Sequence, residues 1–202
     1  MNITVDMVKT LRVKTNAGMM ECKEALKEAN GDFEKAVDYL RKKGMSAATK
    51  RSSKAAKDGT IAQYIHMGGK IGVLVELNCE TDFVAKTEAF QTLARDLAMH
   101  VAASNPLYVR PEEIPAEALE REKEIYRSQL VAEKKPEKIW DKIIEGKLRK
   151  FYEEVCLLQQ KFIKNPDITV ETLVNEMIAK TGENITVRRF ARFQLGEELK
   201  SR

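Results

Sequence analysis

Cysteine is scarce in this chain, and its placement excludes more than its number. Only Cys22, Cys79 and Cys156 occur among 202 residues. They are odd in number, far apart and without ligand spacing, which fits free thiols in a reducing compartment better than a disulfide framework or a zinc site. Histidine is scarcer still, with His66 and His100 alone, and neither has a carboxylate or cysteine at motif spacing. No segment approaches the roughly 18 apolar residues that a membrane-spanning helix needs. Met1-Asn2-Ile3-Thr4 has neither a basic nor an apolar stretch of the kind that opens a signal peptide. Gly68-Gly69-Lys70 lacks the second glycine and the Ser/Thr of a phosphate-binding loop. Neither a nucleophile with its base, nor a metal cluster, nor a phosphate cradle is evident, so the expectation is a protein without catalytic residues, metal or cofactor. A cytoplasmic location is expected.

What is present is a foldable, strongly charged chain. It is 43% hydrophobic and 33% charged, with a net charge of +4 and a mean hydropathy of −0.41. That is too apolar for disorder. The charge is uneven. Arg41, Lys42, Lys43, Lys50, Arg51, Lys54 and Lys57 follow one another without an acidic residue, while the rest of the chain is slightly acidic.

Residues 1–44 read as a three-helix module. Cys22, Ala25, Leu26 and Ala29 recur at i, i+3, i+4, i+7, as do Phe33, Ala36, Val37 and Leu40, giving one apolar stripe on each of two helices. Thr4 is placed to cap a first helix carrying Met7, Val8 and Leu11, and Asp32 to cap the third. Gly44 is placed to end it. Residues 45–58 read as a basic linker, helical in part through its alanines. A second domain, 59–202, opens with two strands flanking Gly68-Gly69. The second strand, from Lys70 to Leu77, is apolar almost throughout and is expected to be central and covered on both faces. A helix with Phe90, Leu93, Ala94, Leu97 and Val101 on one side follows.

Beyond Pro106, Pro111 and Pro115, a charged helix and a second one with Ile144, Leu148, Phe151, Val155, Leu158 and Phe162 form an expected antiparallel helical hairpin over about 116–163. A short helix near Val170–Lys180 leads to a last strand in which Ile185, Val187, Ala191, Phe193 and Leu195 alternate with polar residues. The class is α+β: a helical module, then a small antiparallel sheet with helices and a protruding helical hairpin.

Three segments could carry function on residue type. The basic run lacks interleaved aromatics for base stacking and reads more simply as a solvated linker. Met19 and Met20 are adaptable apolar groups that serve either a binding surface or the module's own core. Thr81-Asp82-Phe83 lies where an apolar strand gives way to a helix. Taken alone, Thr81 or Asp82 reads as a helix cap and Phe83 as tucked into the core. His100, likewise, reads as an ordinary core or surface histidine.

Asn78-Cys79-Glu80-Thr81-Asp82-Phe83-Val84-Ala85-Lys86 resembles a signature of bacterial translation elongation factor Ts. The stretch Val8-Lys9-Thr10-Leu11-Arg12, continued by Thr15-Asn16-Ala17-Gly18-Met19-Met20-Glu21-Cys22-Lys23-Glu24-Ala25-Leu26, resembles the family's other signature. Asn30-Gly31-Asp32 and Met99-His100-Val101-Ala102-Ala103 also fit, so the resemblance runs from Ile3 to about Glu197.

This resemblance implies a guanine-nucleotide exchange factor for elongation factor Tu, bound in its GDP and nucleotide-free forms, with an N-terminal module similar to a ubiquitin-associated fold. It implies that Thr81, Asp82, Phe83 and Val84 act beside the partner's magnesium site. Arg12, Met19, Met20 and His100 match further contact residues. Ile71 and Gly72 match a contact pair that belongs to the second core copy of longer members, whereas this chain has room for one copy. Short members are expected to pair as homodimers through the final strand and hairpin edge. The resemblance implies no chemical step, no membrane and no direct nucleic-acid role. A peptide-binding adaptor using Met19-Met20 and an RNA-associated protein using Lys50–Lys57 are the alternatives.

Overall fold

A computed structural model describes residues 3–15 and 17–198; Asn16, named above in a loop and a signature, lies outside them. Three helices come first: α1 (Val5–Thr15), α2 (Met19–Glu28) and α3 (Phe33–Arg51). Thr4 Oγ1 accepts from the Met7 N–H at 3.3 Å, and Asp32 Oδ1 accepts from the Glu34 and Lys35 N–H groups at 3.0 and 3.1 Å. Both expected caps therefore form. The apolar stripes meet in one small core of Val8, Leu11, Cys22, Ala25, Leu26, Ala29 and Ala36, flanked by Met7, Phe33, Val37 and Leu40.

Gly44 does not end α3, which runs on to Arg51 and takes in the first half of the expected linker. An interior glycine costs a helix about 1 kcal/mol relative to alanine. The alanines that follow favour continuation. A Cβ built on Gly44 would also lie 3.6 Å from the side chain of Ala179, so the small residue sits against a neighbouring helix.

Strands β1 (Asp58–Ile65) and β2 (Ile71–Cys79) are joined through Gly68 and Gly69, both at positive φ, +87° and +68°. Such backbone suits a tight hairpin and strains other residues. With β5 (Thr186–Gln194) they make an antiparallel sheet in the order β1-β2-β5, so β2 is central as expected. It is not covered on both faces. Val73, Val75, Leu77 and Cys79 are buried, whereas Leu74, pointing the other way, is 47% exposed. On β5, Val187 is buried but Phe193 is exposed.

The single-turn α4 (Asp82–Ala85) leads into α5 (Glu88–Ser104), where Phe90, Leu93, Ala94, Leu97 and Val101 are all buried. Helices α6 (Ala116–Ala132) and α7 (Trp140–Val155) form the hairpin, with Leu130 and Ile144 buried. Lys147 reaches across it to the Gln129 side-chain oxygen at 2.5 Å and lies 5.3 Å from the centre of the Tyr126 ring.

The apolar seam continues past Val155 but the helix does not. Cys156 is extended, and the Leu157 and Leu158 N–H groups donate to the carbonyls of Tyr108 and Val109 at 2.9 and 3.1 Å. That pairing with residues 107–109 takes the backbone bonds another helical turn would need. Phe162, expected on the seam, lies instead in β3 (Lys161–Phe162), which pairs antiparallel with β4 (Asn165–Thr169). Helix α8 (Val170–Thr181) then leads to β5.

The chain divides into two compact units. One comprises Met1–Ile61, Glu76–Ala94 and Thr172–Val187; the other comprises Ala62–Val75, Arg95–Glu171 and Arg188–Arg202.

Candidate functional site

In the first unit the end of β2 turns into α4 over Thr81. This residue is extended (φ −131°, ψ 156°), and its carbonyl accepts from the Ala85 N–H at 3.2 Å. Its hydroxyl oxygen faces the Val84 N–H at a long 3.5 Å. Of the two candidate caps, Thr81 and Asp82, it is therefore Thr81 that takes the position. The other half of that reading fails: Phe83 is 80% exposed, with its ring in solvent. Ala85, two residues on, is buried and anchors the turn, while Val84 is half-buried.

Asp82 is ion-paired with Lys86 one helical turn later, at 2.6 Å. The hydrogen bond from Lys86, then its charge, lowers the carboxyl pKa, and the same contact raises that of the ammonium. Both groups lie in water, where such a pair is weak. Asp82 therefore presents an ionised carboxylate beside an exposed phenyl ring.

The support for this turn comes from residues about a hundred positions away. Gly182, at φ +71°, closes α8, and its N–H donates to the Ile178 carbonyl at 2.8 Å. The next residue, Glu183, accepts three hydrogen bonds. The Glu80 and Thr81 N–H groups donate to one carboxylate oxygen at 3.2 and 3.0 Å, and the Thr81 hydroxyl donates to the other at 2.6 Å. Glu80 reciprocates, accepting from the Asn184 N–H at 2.6 Å and from Arg51 at 3.4 Å. The Asn184 amide in turn donates to the Lys54 carbonyl at 2.7 Å. Cys79 donates its thiol hydrogen to the Thr81 carbonyl at 3.1 Å, and burial pushes its pKa up to about 11, so it is an inert packing group.

Sequence reasoning missed Glu183, Asn184 and the role of Arg51. Two cations of the basic run are already engaged: Lys43 with Glu24 at 2.7 Å and Arg51 with Glu80. On the helical module, Arg12, Met19 and Met20 all lie at the surface, with Met20 75% exposed. Met20 thus takes no part in the module's core.

Within the second unit, Ile71 and Gly72 open β2 and are half-buried. His100 departs from the expectation of a contact residue, because no part of it is exposed. Its Nδ1 accepts from the Ile163 N–H at 3.3 Å, which places the ring proton on Nε2, donated to the Gln160 side-chain oxygen at 3.0 Å. Gln160 is held in turn by donating to the Glu154 carbonyl at 2.7 Å. Burial lowers the His100 pKa, against a smaller opposing effect of the Gln160 hydrogen bond. His100 is a neutral, fully bonded core residue in this fold.

Among the described residues, no group of three or more His, Cys, Asp or Glu side chains is disposed to hold a metal, and no helix is long and apolar enough to cross a membrane. Fold and loop together define an α+β protein with a three-helix module, a small sheet, a helical hairpin and an exposed acid–aromatic turn. The family model described as Elongation factor TS matches residues 2–197. An elongation factor Ts of Syntrophus aciditrophicus is 80% identical over 200 residues, covering 99% of this chain and 100% of that protein. Those of Geobacter sulfurreducens and Heliobacterium modesticaldum are 59% and 58% identical, over 100% and 99% of this chain and 94% and 93% of theirs. The chain belongs to the elongation factor Ts family.

Proposed function

We propose that the protein is a guanine-nucleotide exchange factor that promotes GDP release from elongation factor Tu, and that Phe83 and Asp82 are its acting residues. The observation that carries this reading is the exposed Phe83 ring on a turn whose backbone is firmly held. A GTP-binding protein holds GDP through Mg²⁺ and through backbone N–H groups around the phosphates. A phenyl ring entering beside that site displaces the elements carrying the magnesium's ligands and water. A carboxylate brought near bound phosphates raises the energy of the GDP complex.

The coupling is reciprocal: whatever weakens GDP binding weakens exchange-factor binding equally when GDP is present. Each tenfold loss of nucleotide affinity needs about 1.4 kcal/mol of differential binding. One ring does not supply several such factors, so Arg12, Met19 and Met20 on the helical module serve as a second area of contact. Incoming GTP then expels the factor. No covalent bond is made or broken, so the protein is not an enzyme in the strict sense, and its place is the cytoplasm, with its partner.

The protein also pairs with a second copy of itself in this reading. Ile65, Met67, Leu74, Phe193 and Leu195 are large apolar side chains left 47–89% exposed, an arrangement costly in water unless covered. Sedimentation at micromolar concentration should give twice the 23.0 kDa chain mass. Exchange is tested by stopped-flow release of a fluorescent GDP analogue from elongation factor Tu. Release should accelerate in proportion to added protein, and an unchanged rate would refute the reading.

A further inference from the structure

We propose that Glu183 is a positioning residue for nucleotide exchange: its carboxylate, bound to the Glu80 and Thr81 N–H groups and the Thr81 hydroxyl, fixes the turn that aims Phe83. The inference rests on the exchange reading above. Phe83 is 80% exposed, so packing around the ring does not orient it. The Asp82–Lys86 pair lies in water and holds little. The turn's direction is therefore set by how its backbone is fastened, and at its N-terminal side both consecutive N–H groups go to one oxygen of Glu183, at 3.2 and 3.0 Å.

The Thr81 hydroxyl serves two partners with opposite roles. Its hydrogen is donated to Glu183 at 2.6 Å, so its lone pairs are left to face the Val84 N–H. The carboxylate thus sets the rotamer of the cap as well as the backbone before it. Glu80 closes the latch from the other strand by accepting from the Asn184 N–H at 2.6 Å. Two adjacent residues of the α8–β5 corner and two of the β2–α4 corner exchange hydrogen bonds in both directions. Nothing of this is needed to bury apolar surface, because Glu183, Thr81 and Phe83 lie at or near the surface.

Without the Glu183 carboxylate the turn samples several directions, and only the fraction aimed as here is competent to enter the partner. Apparent activity falls to that fraction of its full value. Glu183→Ala should lower the second-order rate of accelerated GDP release from elongation factor Tu about tenfold, the loss expected if one conformer in ten is competent. Glu183→Gln should recover most of it, because its carbonyl accepts both N–H groups and its amide donates to the Thr81 oxygen. If Glu183→Ala does not fold, Glu183→Asp keeps the charge, shortens the arm by one methylene and should lose about threefold on the same argument.

A double-mutant cycle with Phe83→Ala separates aiming from mere structural support. With no ring to aim, Glu183→Ala should cost less than about twofold further, a coupling of the kind contacting groups show. Amide hydrogen exchange, measured on the protein alone, should show Glu80 and Thr81 deprotected in Glu183→Ala while the N–H groups of Val73, Val75 and Leu77 keep their protection. Wild-type exchange activity in Glu183→Ala, or the same fold-loss with and without the Phe83 ring, would overturn the proposal. If Phe83→Ala alone leaves GDP release unaltered, the exchange reading fails and takes this inference with it. Deprotection of Thr81 together with unaltered release in Glu183→Ala, while Phe83→Ala does slow release, overturns the positioning role alone.

Discussion

Two ring-bearing side chains seventeen positions apart, Phe83 and His100, carry the same expectation from family resemblance and receive opposite treatment from the fold. At the β2–α4 corner the hydrogen bonds go to the backbone and to Thr81, and the Phe83 ring is left 80% exposed. In the second unit the hydrogen bonds go to the ring itself, on both nitrogens of His100, which is wholly buried. A residue fastened by its backbone keeps its side chain available to a partner. One fastened through its side chain has been spent on the fold. The distinction lies in where polar partners are placed, which residue type does not reveal.

The largest effect that sharpens this contrast is on stability. His100→Ala removes a buried ring and leaves the Ile163 N–H and the Gln160 oxygen without their partner. About 2–4 kcal/mol of unfolding free energy should be lost in urea titration, while exchange activity per folded molecule stays close to wild type. Phe83→Ala should do the reverse: it weakens binding to nucleotide-free elongation factor Tu about thirtyfold by calorimetry, as removal of a hot-spot aromatic does. Its stability should stay within about 0.5 kcal/mol of wild type, since the ring is exposed.

Acid titration gives a smaller effect with a definite sign. Burial sets the folded-state pKa of His100 below its unfolded value. The unfolded chain therefore binds the proton first, and stability is lost as pH falls from about 6.5 toward the folded pKa. The slope from one proton is at most about 1.4 kcal/mol per pH unit, and His100→Gln should remove it. Above pH 5 this is separable from Asp82, Glu24 and Asp32, whose lowered pKa values cost stability only in more acid solution. The smallest effect belongs to Lys86→Ala. Removing an exposed ion pair should leave the thermal midpoint where it was, and the freed Asp82 should titrate closer to an ordinary aspartate by NMR.

Much of the fold is legible in local pattern. The stripes of Cys22–Ala29 and Phe33–Leu40, the caps Thr4 and Asp32, the Gly68-Gly69 hairpin and the buried side of α5 all follow from spacings within a dozen residues. Reading stops where long-range partners decide. Gly44 ends a helix by local preference, but α3 runs on to Arg51 with Ala179 of α8 beside the glycine. The heptad seam runs on through Leu158, yet residues 107–109 capture the backbone at Cys156. β2 is apolar almost throughout its first half, and the burial of alternate residues is what shows that Leu74 faces water. The Thr81-Asp82-Phe83 turn is recognisable as a motif, but its backbone is fastened to Glu183, about a hundred positions away, and nothing in the spacing of a glutamate after a helix announces that.

In the proposed mechanism the Phe83 ring acts on a nucleotide held by another protein. Side-by-side stopped-flow release of a fluorescent GDP analogue from elongation factor Tu, with wild-type protein and with Phe83→Ala at equal concentrations, measures that directly. Strong acceleration by the first and little by the second is the predicted result. Equal acceleration by both, or none by the wild type, would contradict it.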